Sequence, residues 1–159
     1  MDQIDWVMRN GIIFLFSLCM WFQLTACSIR KDESLVVRHY HLKSTELVDR
    51  DARMIRGEQM YRLRGALTLE ERRSRLGHYY TFVWDVEGAT ELIFEYQQAA
   101  TTTKEKIVRV QLDPRGKGRK KEIAIIGDDY LLGGRVLAWR ARLLSGGREL
   151  AEQKSYMWQ

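Results

Sequence analysis

The chain predicts a mainly β fold: a single antiparallel β-sandwich of about seven short strands with one short helix, preceded by an N-terminal hydrophobic segment. Three observations carry this. From residue 35 onward, apolar side chains recur mostly with a period of two. Turn signals interrupt that pattern about every 8–12 residues. The 159 residues, 45% apolar and 30% charged, suffice for one core and exclude a disordered tail, a collagen and a polytopic membrane protein. Two cysteines exclude a disulfide-dense scaffold and a four-cysteine zinc site.

Taken in order, Leu35–Leu42 alternates as a first strand. Residues 49–60 are charged and hold a turn of helix. Residues 59–68 alternate again, with Tyr61, Leu63 and Leu67 on one side and Arg62 and Arg64 on the other, which predicts a strand. Residues 68–76 form one or two helical turns: Thr68 caps, Glu71 completes a capping box and Gly77 stops the helix. Residues 78–86 are the strongest strand, with Tyr80, Phe82, Trp84 and Val86 on one face. Residues 91–99 turn Leu92, Phe94 and Tyr96 inward and Glu91, Glu95 and Gln97 outward. Residues 106–112 offer Val108, Val110 and Leu112, and 113–118, with a proline and two glycines, make a turn. Residues 121–126 form the next strand, and Asp128-Asp129 a turn before Tyr130.

The closing hairpin pairs 135–144, with Leu137, Trp139, Ala141 and Leu143 on one face, with 148–158 across Gly146-Gly147. A two-residue turn would set Glu152 and Lys154 beside Ala141 and Trp139. A three-residue loop with a bulge puts Ala151, Gln153, Ser155 and Met157 on the Trp139 face and buries fewer charges, so it is the expected register. This half, 123–158, resembles the last three strands of immunoglobulin-like and fibronectin type III domains, without the inter-sheet disulfide of antibody domains.

Upstream, Arg9 precedes an uncharged stretch, 10–29, that is apolar over 11–24 and ends in Leu24-Thr25-Ala26-Cys27. A short apolar run behind a positive charge reads as a secretory signal, and the four closing residues resemble the lipobox of bacterial lipoproteins. The resemblance implies that residues 1–26 are removed and that Cys27 carries a diacylglycerol on Sγ and an acyl chain on its amine. It also implies that Ser28, not Asp, directs the protein to the outer membrane. Asp2 and Asp5 make the extreme N-terminus acidic where such signals are basic, and Met8 provides a better start. Residues 27–34 then form a short lipidated tether and 35–159 the sandwich. Seven extended residues reach at most about 25 Å, so the domain sits close to the lipid. The alternative is an uncut anchor, since twenty uncharged residues span about 30 Å; the chain is then an inner-membrane subunit of a larger envelope complex.

The whole chain has 26 Lys+Arg against 21 Asp+Glu; loss of Asp2, Asp5 and Arg9 raises its net charge from +5 to +6. Arg115, Lys117, Arg119, Lys120 and Lys121 place five cations in one hairpin tip, which fits an anionic surface such as lipid phosphate or cell-wall polymer. Arg62, Arg64, Arg72, Arg73 and Arg75 are further basic positions. An exported address takes nucleic acid out of reach. No Gly-x-Ser-x-Gly, His-Glu-x-x-His or P-loop is present. His39 and His41 share a strand face about 7 Å apart, a spacing metal sites use, with His78 or a carboxylate needed as a third ligand. These observations favour a non-catalytic, cofactor-free accessory or binding module with a protein or envelope-polymer partner over a small metal-dependent enzyme.

Overall fold

Strands with one apolar face must bury it, and this chain does so by stacking two antiparallel sheets. The computed structural model describes residues 34–46, 52–101, 104–114 and 119–158. The leader and lipobox, most of the tether, and Arg115 and Lys117 lie outside the described residues. One sheet holds β1 (Leu35–Leu42), β2 (Gly77–Trp84) and, after two strands of the other sheet, β5 (Lys120–Ile126), in the order β1-β2-β5. The other holds β3 (Glu91–Gln98), β4 (Glu105–Gln111), β6 (Val136–Ser145) and β7 (Arg148–Lys154), in the order β4-β3-β6-β7. This is the immunoglobulin-like strand order, with the fourth strand on the sheet of the third, sixth and seventh.

The inner faces are those the alternation predicts. Tyr80, Phe82 and Trp84 from β2 meet Leu92, Phe94 and Tyr96 from β3 and Ala141 and Leu143 from β6, all buried. Phe82 and Phe94 meet edge to face with ring centroids 5.1 Å apart, and Tyr80 lies 4.7 Å from Phe94. Burying each such side chain contributes about 1.5–3 kcal/mol. The β1 edge is covered where Val37 N donates to Gln153 Oε1 from the opposite sheet, which limits edge-to-edge pairing.

Among the described residues, three α-helices are present rather than one. α1 (Arg53–Leu63) takes in much of the segment 59–68 predicted as strand. Five alternating residues fit either period. In the helix Arg62 ties back to Glu58 one turn earlier and across to Glu122 on β5, while Tyr61 is exposed. α2 (Leu69–Arg73) starts on the predicted capping box: Thr68 Oγ1 accepts from Glu71 N at 3.1 Å, and Glu71 Oε2 accepts from Thr68 N at 3.1 Å. α3 (Asp128–Gly133) uses the predicted Asp128-Asp129 turn as its first turn.

The last hairpin buries the face expected of it by a different device. Gly146 (φ 56°) and Gly147 (φ 85°) make a two-residue turn that needs φ > 0 twice. A bulge at Leu143/Leu144 then shifts the register, so Ala151 faces Leu143 and Gln153 faces Ala141. Ser155 bonds both N and O of Trp139. The chain then turns, with Trp158 N donating to Ser155 O; Met157 is exposed and Trp158 is buried in its place. Leu137, expected inside, is 45% exposed because the β3–β6 ladder skips it between Gln97↔Ala138 and Gln98↔Val136.

Glu95 also departs from expectation. It lies on the outer face of β3, yet is 5% exposed. The register sets Arg140 opposite it and Arg142 opposite Ile93, and both arginines fold over the carboxylate. Burial pushes the Glu95 carboxyl up, but the hydrogen bonds and charges of the two guanidiniums outweigh this and hold it below its ordinary range.

Candidate functional sites: a cationic end and an imidazole end

The two ends of the three-stranded sheet differ in chemistry. At the first, the end of β2 is flanked on both sides: Asp85 N donates to Ser34 O and Trp84 N donates to Arg119 O, each at 3.1 Å. The basic segment is not the hairpin tip expected from the sequence: β4 pairs with β3 and β5 with β2, so it links the two sheets. The point where the chain enters the domain and the end of that basic connection are therefore about two strand spacings apart, roughly 10 Å. Of the predicted cations, Arg119 is held by Asp85 at 2.7 Å and Glu87 at 2.9 Å, both highly exposed, so its charge is offset locally. Lys120 and Lys121 are exposed at the start of β5.

Other basic residues are used within the fold. Arg72 Nε donates to Ala66 O, and Arg75 Nη1 to the carbonyls of Arg62 and Arg64, fastening the α1–α2 connection. Arg62 makes a two-point bond to Glu122 and lies 4.2 Å from the centre of the Tyr79 ring. Around it, between α1 and the outer sheet face, runs a groove of about 540 Å³ lined by Arg38, Tyr40, Ile55, Tyr61 and Tyr79 among others.

At the opposite end the inner face changes from aromatic to imidazole. Along β2 it runs Trp84, Phe82, Tyr80, His78; along β1, Leu35, Val37, His39, His41. Register sets His41 opposite His78 and His39 opposite Tyr80. The rings stack: His41 on His78 at 4.0 Å, His39 on Tyr80 at 4.6 Å and His39 on His78 at 4.9 Å, with interplanar angles of 14–18°. His78 is 2% exposed, whereas His39 is open to solvent.

The hydrogen bonds fix the tautomers. Val136 N–H donates to His78 Nε2 at 3.2 Å, so the His78 proton sits on Nδ1. That Nδ1–H donates to His39 Nε2 at 2.7 Å, and His41 Nε2 meets Tyr130 Oη of α3 at 2.9 Å. Parallel rings bonded in sequence do not aim their nitrogens at one point. Among the described residues no group of three His, Cys, Asp or Glu side chains is arranged to hold a metal ion.

Desolvation lowers the pKa of all three rings. Burial, aided by His41, His39 and Arg135, pushes His78 down to about 3. Burial, then Lys43, Arg135 and His39, pushes His41 down to about 4, and burial lowers His39. The sequence placed His39 and His41 on one face and named His78 as a possible third partner. It missed Tyr130 and the Val136 amide, which only the β2–β6 and β1–α3 contacts bring in.

Among the described residues, fold and sites together define a small antiparallel β-sandwich of seven strands with Lys120 and Lys121 exposed at one end and an imidazole-lined other end. Compared with protein-family models, curated proteins and solved structures, the chain matches none.

Proposed function

We propose that this chain is an exported bacterial lipoprotein, acylated at Cys27 and held at the outer membrane as a non-catalytic binding module for a protein or an anionic envelope polymer. The observation that carries the reading is Leu24-Thr25-Ala26-Cys27 closing an apolar run, with the first strand beginning only eight residues after the cysteine, at Leu35. The short reach of that tether brings the entry end of the domain to the lipid surface. Lys120 and Lys121 lie exposed at that same end, where each cation near an anionic bilayer contributes about 1 kcal/mol. Two or more acyl chains make anchoring stable, where one gives only marginal binding. Among the described residues no helix is long and apolar enough to cross a membrane.

Growing cells with radioactive palmitate tests the anchor. Wild-type protein should take label and sediment with membranes; Cys27→Ala should take none. An unlabelled wild-type chain that stays in the membrane would instead indicate a retained hydrophobic anchor.

A further inference from the structure

We propose that the imidazole stack is an acid-sensitive latch: it holds α3 and the start of β6 across one end of the sandwich, and protonation of His39, His41 and His78 releases them while the aromatic core stays closed. This is a regulatory device in the fold, independent of how the protein is anchored.

The hold on α3 is polar. Gly133 is its one buried residue, and Leu131 and Leu132 are 56% and 80% exposed. Tyr130 Oη bonds His41, and Gln98 Nε2 donates to Asp129 O at 2.8 Å and Gly134 O at 3.1 Å. Ala99 N donates to Arg135 O at 2.9 Å, and Val136 N to His78. Val136 packs against the core and the Gln98 and Ala99 bonds do not titrate, but within α3 itself little apolar burial remains to retain the helix once the imidazole bonds fail.

Protonation makes those bonds repulsive. A charged His78 carries a proton on Nε2 and points it at the Val136 N–H, donor against donor. A charged His39 points Nε2–H at His78 Nδ1–H. Charging both His41 and His78 sets two cations face to face at 4.0 Å. Lys43 and Arg135 work against protonation, while Glu46 lines a cavity with His39 and His41, and Glu58 and Glu122 line a groove with His39. β1 leads to Lys43, and Arg135 lies just before β6. β2 and β3 contribute the phenols Tyr80 and Tyr96, and β5 the apolar Ile125 opposite His78. α3 brings Tyr130, Asp128 and Asp129, but Asp129 Oδ1 is turned to Lys106 Nζ of β4 at 3.3 Å.

The sign follows from linkage. In the released state the rings titrate near 6.5; in the latched state His41 and His78 stay neutral to about 4 and 3. Above 6.5 both states are neutral and the latch is at full strength. Below it, the released state binds more protons, and each such histidine raises the released fraction by up to tenfold per pH unit, until its latched value is reached.

Amide hydrogen exchange of the full chain in detergent micelles, read by NMR between pH 7.5 and 4.5, tests the latch. Corrected for intrinsic rate, protection at Gly134 and Val136 should fall at least tenfold relative to Phe82 and Phe94. A smaller fall, or equal loss in the core, overturns the proposal. His78→Gln offers an acceptor to Val136 and a donor to His39 without titrating, and should flatten the profile; an unchanged profile also overturns it. If that variant does not fold, the wild-type imidazole titrations decide: His41 and His78 midpoints below 5 support the latch, and a midpoint of 5 or above for either overturns it.

Discussion

Glu95→Ala should lower the stability of the domain by about 3 kcal/mol, the low end of what breaking a buried ion pair costs. The carboxylate bonds Arg140 Nε at 2.6 Å and Arg142 Nη2 at 3.0 Å. Truncation leaves two guanidiniums crowded on one sheet face, with Glu149, 4.0 Å from Arg142, too far to replace the lost carboxylate. Arg142 Nε is already buried without a partner, so that side chain has little left to lose to. The arginine side chains keep 29% and 25% exposure, which lets water share the cost and sets the estimate low rather than high. Arg140 also lies over the Trp158 ring at 5.1 Å, so the loss should spread to the C-terminal turn. Glu95→Gln, which keeps the shape and one acceptor, should cost less. Because the folded carboxyl is held below its ordinary range, its contribution is full above the unfolded value and is lost as pH falls through the folded one. Urea denaturation at pH 7 checks this, and an unchanged midpoint for Glu95→Ala would refute it.

Gly77→Ala should be at least as damaging, about 3 kcal/mol or more. Gly77 opens β2 at φ 142°, and an added Cβ would stand 2.1 Å from Ile125 O and 3.0 Å from Ile126 Cα. Those are backbone atoms of the neighbouring strand, so no side chain can swing aside. Strained φ costs about 1–3 kcal/mol and forced overpacking about 1–3 more. The displaced strand end also carries His78, one residue on, so the imidazole stack should loosen with it. Gly57→Ala is the contrast: it lies in α1 with nothing within 4 Å of the added carbon, and should be neutral or stabilise by up to about 1 kcal/mol. Thermal melts of the two variants should move in opposite directions or differ widely; equal melts would contradict the steric account.

The strands were legible because their signal is local and periodic. Tyr80, Phe82 and Trp84 against Leu92, Phe94 and Tyr96 declare a period of two and two inner faces. The Thr68–Glu71 box is likewise complete within four residues. What was not legible depends on pairing across the fold. α1 hides because it has no apolar stripe: its one buried residue is Gln59, which bonds the carbonyls of Ser44 and Glu46, while Met54, Met60 and Tyr61 face out. Glu95 reads as a solvent residue until the β6 register brings Arg140 and Arg142 over it. Sequence fixes the shared strand face of His39 and His41, but their chemistry is decided by what stands opposite. A stacked His78 and a Tyr130 from α3 consume nitrogens that a metal would otherwise take. The basic tip was read as five cations, yet Arg119 is offset by Asp85 and Glu87 from the next loop, a pairing visible only in three dimensions.

The central claim is that this sandwich hangs from a lipid-modified Cys27. The intact mass of the protein purified from the membranes of the cells that make it tests it most directly. The account predicts a chain that begins at Cys27 and is heavier than its sequence by a diacylglycerol and an amide-linked acyl group. A polypeptide that keeps residues 10–26 with an unmodified cysteine would contradict it.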